Sequence, residues 1–167
     1  FAGSDYPSYS FVNIQRYDES SATANGSFSP VSSVDDPLIP GEGYYVYVNP
    51  GTYSIDVTGE PIIGDFSLPV SYTDYDSPAS DGLRLMSNPY PSKVNWDKED
   101  GWEKVNLYSA IYSWDVSTSQ FKTYLNGYSV NGGSPIINPC QTFWIQANDN
   151  DPELHINENA KEIATVP

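Results

Sequence analysis

Groups that carry covalent or redox chemistry are scarce in this 167-residue chain, which has one cysteine and one histidine. The lone Cys140 excludes an internal disulfide. It opens the apolar run Cys140-Gln141-Thr142-Phe143-Trp144-Ile145, so a small buried hydrophobe is its expected role. A cysteine nucleophile would need a partner base, and nothing in the local sequence sets His155 beside it. His155 sits in the alternating run Glu153-Leu154-His155-Ile156-Asn157, on the solvent side of a strand. Zinc motifs of spaced His and Cys, phosphate-cradling glycine loops and a nucleophile elbow are all missing.

Positive charge is equally scarce. Seven Lys and Arg face 22 Asp and Glu, giving a net charge of −15. Such a chain repels nucleic-acid phosphates and anionic lipid, so no nucleic-acid partner is expected. No apolar run is long enough to cross a bilayer as a helix, no membrane insertion is expected, and no signal-peptide pattern is present. Good helix formers are few, with one Met and little Ala, Lys or Arg in any window, which predicts little or no helix.

Aromatics and turn residues are abundant: 4 Trp, 14 Tyr, 6 Phe, 12 Gly and 14 Pro. Aromatic and β-branched residues favour strands, and Gly and Pro favour turns. The expectation is an all-β fold of two tandem, diverged β-sandwich or jelly-roll-like units packed together. Four elements recur in one order. Ile14-Gln15-Arg16-Tyr17-Asp18 returns as Ile111-Tyr112-Ser113-Trp114-Asp115, and Gly26-Ser27-Phe28 as Ser119-Gln120-Phe121. Leu38 to Asn49, with Pro40-Gly41-Glu42-Gly43-Tyr44-Tyr45-Val46, returns as Ile137 to Asn148, with Pro139-Cys140-Gln141-Thr142-Phe143-Trp144-Ile145. Tyr53-Ser54-Ile55-Asp56 returns as Leu154-His155-Ile156-Asn157. Preserved order argues for duplication. The units are assigned to residues 1–63 and 82–167, joined by a strand and acidic loop over 64–81.

Period-two alternation marks half-buried strands at 43–49, 108–116 and 142–148. Leu125-Asn126-Gly127-Tyr128 carries the Asn-Gly hairpin dipeptide. The stretch from Gly64 to Tyr72 alternates weakly and is expected to be a strand. The second unit opens with a strand-like segment at 82–87 that the first lacks. The first unit is therefore expected to be incomplete at its N-terminal side, with a preceding segment or a partner's strand covering it.

The run Gly82-Leu83-Arg84-Leu85-Met86-Ser87-Asn88-Pro89-Tyr90-Pro91-Ser92-Lys93-Val94-Asn95-Trp96-Asp97 is followed by Ile111-Tyr112-Ser113-Trp114-Asp115, Phe121-Lys122-Thr123-Tyr124, Ile137 to Ile145 and Glu158-Asn159-Ala160-Lys161. Over roughly residues 82–162 this resembles a β-module of secreted surface proteins of Bacteroidota, often found just before a type IX secretion sorting domain. The first half resembles the region that commonly precedes that module. The resemblance implies export to the cell surface or medium and no catalytic residues. Where the pattern has Gly and Trp, this chain has Cys140 and Leu83.

Two clusters are candidate sites. Tyr90, Trp96 and Trp102 fall in the least regular stretch, and Asn88-Pro89-Tyr90-Pro91 favours a fixed turn, a cis bond among its options. Aromatic rings on a rigid β scaffold stack sugar rings at little entropic cost; the alternative is that these rings cap the core. Asp74, Asp76 and Asp81 in the acidic loop offer calcium ligands, but the loop lacks the spaced pattern with a closing Glu, and the simpler reading is a solvated acidic turn. Calcium is the sole candidate cofactor. No acidic pair lies in an apolar setting that would raise a pKa, so no enzyme is expected. The reading is a non-catalytic extracellular structural or adhesive module that contacts its own kind or other surface-protein segments. The alternative is a carbohydrate-binding module that takes a polysaccharide beside a secreted degrading enzyme.

Overall fold

A computed structural model of the chain describes residues 13–21, 27–31, 33, 35–48, 59–75 and 80–162. The alternating segments form strands, and the chain is all-β and sandwich-like. Strand β1 (Ile14–Asp18) lies between β2 (Ser27–Pro30) and β3 (Tyr44–Val46) in an antiparallel sheet. Strand β4 (Phe66–Ser67) follows, then β5 (Leu83–Ser87), β6 (Val94–Asn95) and β7 (Trp102–Val105). Next are β8 (Ile111–Asp115), β9 (Gln120–Leu125), β10 (Tyr128–Val130) and β11 (Ile136–Ile137). The last are β12 (Thr142–Gln146) and β13 (Glu153–Ile156). The sole helical elements among the described residues are single 3₁₀ turns at Glu99–Gly101 and Glu158–Ala160.

A five-stranded sheet of order β10-β9-β8-β12-β5 forms the middle layer. Side chains alternate across a strand, and here both faces are apolar. Met86, Ile111, Tyr124, Phe143 and Ile145 point inward, toward Trp102, Leu154 and Ile156 of the β4-β13-β7 sheet. The small β11-β6 ladder closes this core with Val94 and Ile137. On the opposite face, Leu85 and Trp144 are covered by Tyr17 and Tyr45 of the β2-β1-β3 sheet. Trp144 meets Tyr17 edge-on at 4.8 Å between ring centroids. The expected strand from Gly64 to Tyr72 shortens to β4, because Pro69 has no N–H to continue a ladder.

A backbone seam joins the outer sheet to the middle one. The Gly43 N–H donates to the Leu85 carbonyl at 2.9 Å, and the Ser87 N–H to the Gly41 carbonyl at 2.8 Å. Gly43 must be glycine here: a Cβ would lie 2.5 Å from Leu85 Cγ and 2.9 Å from the Met86 carbonyl oxygen. The buried Glu19, just past β1, accepts hydrogen bonds from Ser71 Oγ at 2.7 Å and Thr73 Oγ1 at 3.0 Å. The end of β1 is thereby tied to the connecting segment.

The recurring sequence elements occupy matching places. The order β2-β1-β3 is the order β9-β8-β12. Tyr17 faces Phe28 across its ladder as Trp114 faces Phe121, with edge-on rings at 5.4 and 5.0 Å. Gln15 pairs with Tyr45 as Tyr112 pairs with Trp144. Asp18 Oδ1 accepts from the Ser20 N–H and hydroxyl at 3.0 and 2.7 Å, and Asp115 Oδ1 from those of Ser117 at 2.9 and 2.6 Å. The Ser117 hydroxyl, then Lys122, hold the Asp115 carboxyl well below the usual carboxylate range. The element at 53–56 lies outside the described residues.

The equivalence explains why Cys140 is exposed rather than buried. Cys140 and Gly41 occupy the same turn before their strands, with φ of +57° and +81°. In each turn the next N–H reaches back to a carbonyl at 3.1 Å, Glu42 to Ile39 and Gln141 to Asn138. The position belongs to the turn, not to the strand, and left-handed backbone suits glycine. Replacing Cys140 with Gly is expected to raise stability by about 1 kcal/mol in urea denaturation, the scale of the left-handed penalty for an L-residue. The native thiol is expected to react with a maleimide at one equivalent without denaturant. For Gly43→Val, we expect a loss of about 1–3 kcal/mol from overpacking, with tryptophan emission shifting red as Trp144 loses its cover.

Candidate functional site

The structure places Tyr90, Trp96 and Trp102 in the core, at 1%, 2% and 6% exposure. This corrects their assignment as outward ligand platforms. Their polar ends are tied to backbone: Trp96 Nε1 donates to the Ser109 carbonyl and Trp102 Nε1 to the Asn95 carbonyl, both at 2.9 Å. The Tyr90 hydroxyl donates to the carbonyls of Gly64 and Ile156. Burial, followed by Glu158 and Asp65, pushes the Tyr90 phenol up to about 12. The irregular stretch folds inward because Asn88 fixes it. Asn88 Nδ2 donates to the Ser92 carbonyl at 2.8 Å and the Ile137 carbonyl at 3.2 Å, while Oδ1 accepts the Tyr90 N–H at 3.0 Å. Among the described residues no peptide bond is cis.

The acidic loops do meet. Asp74, Asp81, Tyr72, Tyr108 and Asn148 line one cavity of about 360 Å³. Asp81 is buried and accepts the Tyr75 N–H at 3.2 Å; Asp76 lies outside the described residues. Burial, then Asp74, Asp81 and Asp149, raise the Tyr72 phenol. Among the described residues, no three His, Cys, Asp or Glu are gathered to hold a metal.

One constellation was not legible in sequence. Ser67 Oγ lies 2.8 Å from His155 Nδ1, and Glu153 Oε2 lies 3.5 Å from His155 Nε2. Strand pairing creates it, since Ser67 is the cross-strand partner of His155. The group resembles a hydrolase triad in residue types. However, the serine meets Nδ1, the side chains of His155 and Glu153 are 40% and 57% exposed on a sheet face, and none of the three residues lines a cavity described here. Such a place does not exclude water or hold a substrate.

The surface best suited to binding is the outer face of the middle sheet. Tyr112, Trp114, Phe121 and Thr123 share this face with Trp144, as the registers require. The outer sheet covers Trp144 but leaves Trp114 and Phe121 exposed by 42% and 45%. A groove of about 380 Å³ opens among Leu83, Tyr112, Phe121, Thr123, Trp144 and Gln146. A second recess of about 140 Å³ runs under β3 between Trp114 and Trp144. The Trp114–Phe121 pair therefore stands between two hollows. The alternation at 108–116 signalled this face; sequence reasoning missed that its aromatic side points away from the main core.

No family model, curated protein or solved structure matches the chain. Fold and surface alone define its class: an all-β, layered protein with an open aromatic sheet face.

Lys104 lies beneath that architecture. Its ammonium is 3.7 Å from the Trp96 ring centroid and donates to the Trp96 carbonyl at 2.8 Å. Burial lowers it to about 8, against the opposing pull of Asp97 and Glu99. Between about pH 8 and the ordinary lysine value, the unfolded chain binds more protons than the folded one, so this residue makes stability rise with pH. Above about pH 10, ionisation of unfolded tyrosines works against the raised Tyr90 and reverses the trend. Urea midpoints of the native chain relative to Lys104→Met are expected to climb from pH 7.5 to 9.5; a flat difference would contradict the lysine's depressed value.

Proposed function

We propose that this chain is a non-catalytic, extracellular structural and adhesive module of an exported bacterial surface protein. The observation that carries this reading is the open aromatic face: exposed Trp114 and Phe121 beside a groove, on a sheet whose rear face is a packed core. Monomeric proteins expose large contiguous apolar surface chiefly where something docks. The sequence resemblance to a Bacteroidota secreted module supports export, and the exposed setting of Ser67, His155 and Glu153 on a sheet face supports the non-catalytic role. Self-contact, contact with other surface-protein segments and contact with polysaccharide all use the same kind of face.

Beads coated with the chain are expected to adhere to intact Bacteroidota cells or their extracellular matrix. Beads bearing the Trp114→Ala/Phe121→Ala double variant are expected to adhere at least tenfold less. The purified chain is expected to release no product from ester, peptide, glycoside or phosphate substrates. Turnover abolished by Ser67→Ala would sink the non-catalytic reading, and beads that fail to adhere would sink the adhesive one.

A further inference from the structure

We infer that the groove flanking Trp114 and Phe121 binds an uncharged polysaccharide chain, which makes it the adhesive contact of this module. The inference rests on the adhesive reading above and names its ligand.

Three observations select that ligand. The first is shape. The hollow of about 380 Å³ falls in the size range of small-ligand sites. The recess of about 140 Å³ continues past the Trp114–Phe121 pair on its other side. A slender chain can lie along both hollows, whereas the flat face of a second sheet would bridge them and leave them empty.

The second is lining. Rings from Tyr112, Phe121 and Trp144 are interspersed with Thr123 and Gln146, and among the described residues no charged side chain lines the groove. Apolar ring faces with a few polar groups match a pyranose, which shows C–H bonds on its faces and hydroxyls at its rim. The Trp114–Phe121 rings meet edge-on, at 71° between planes, so the pair offers two differently oriented rings. Successive sugar rings in a twisted chain meet such differently oriented rings.

The third is charge. At a net −15, the chain repels a second copy of itself and every polyanion. A neutral polymer meets no such barrier. An aromatic groove without cations inside a strongly acidic protein therefore fits an uncharged ligand better than an acidic glycan, a nucleic acid or its own twin.

The repeat shows what this face does when covered. Tyr17, the equivalent of Trp114, packs within the chain against Trp144 and is 6% exposed, while its partner Phe28, 6.4 Å from Trp144, is 43% exposed, much as Phe121 is. The second pair has the same local geometry, and among the described residues Trp114 lacks the cover that Tyr17 has.

The test is affinity electrophoresis of the full chain in native gels containing xyloglucan, galactomannan, xylan, laminarin or soluble starch. Co-sedimentation with microcrystalline cellulose extends the panel, with alginate and polygalacturonate as anionic comparators. At least one neutral polymer is expected to retard the chain. Trp114→Ala/Phe121→Ala is expected to weaken that binding at least tenfold while keeping the native urea midpoint, since both rings are nearly half exposed. Thr123→Val, which preserves volume, is expected to weaken it severalfold and supplies a readout should the double variant lose its fold. Failure to bind every neutral polymer overturns the inference. So does binding untouched by these variants, or retardation by the polyanions alone. A dimer in sedimentation velocity that the double variant abolishes also overturns it, by assigning the face to a second copy. Adhering beads without polysaccharide binding would leave the adhesive reading standing and remove its glycan ligand.

Discussion

The architecture depends on one strand being buried on both faces. Strand β12 sends Phe143 and Ile145 into the main core and Trp144 out of the opposite side. A two-layer sandwich would leave that indole in water. Burying a large aromatic side chain is worth about 2–3 kcal/mol, so a third layer follows: Tyr17, Phe28 and Tyr45 close over Trp144 with centroid distances of 4.8, 6.4 and 6.5 Å. Aromatic pairs in edge-on geometry add to this burial. The glycine seam at Gly43 exists because the covering sheet must approach β5 backbone to backbone.

That cover is incomplete, and its incompleteness makes the surface interesting. Among the described residues, three strands lie over five. The half of the middle sheet nearest β5 is protected, while the half built by β8, β9 and β10 is not. Tyr128 on β10 is 78% exposed. The same residue types in the same register thus serve two ends. Tyr17 on β1 is internal glue, whereas its counterpart Trp114 on β8 is external surface; their partners Phe28 and Phe121 are both nearly half exposed. The Asp18 and Asp115 turns, each closed by a serine two residues on, hold both pairs in place.

Much of the fold was legible in the sequence, because period-two patterns and turn residues report local geometry. The Asn126-Gly127 hairpin forms with both residues at positive φ, as the dipeptide requires. The matching strand orders β2-β1-β3 and β9-β8-β12 were foreshadowed by the recurring elements, because register depends on spacing. Burial was less legible, since it depends on which face of a strand meets another layer. Tyr90, Trp96 and Trp102 were open to two readings, ligand platform or core cap, for want of alternation around them, and they are core. Asn88 folds that stretch inward through its side-chain amide, which no periodicity records. Cys140 misled for a related reason: one residue's displacement from turn to strand inverts its environment, and only the matching Gly41 reveals which side of the boundary it occupies.

The candidate groove was illegible because it arises from subtraction. Its residues follow an ordinary strand pattern, and only the short reach of the outer sheet turns them into a surface. An apolar face left open on an acidic protein is a hazard unless it is protected from pairing with its own kind. Here the charge supplies that protection. Repulsion between copies, each at −15, opposes association over the length that salt leaves unscreened, about 8 Å at physiological ionic strength. The acidity of the chain and the neutrality of its groove are therefore complementary features. One keeps like from like, and the other leaves the rings available to a ligand that carries no charge.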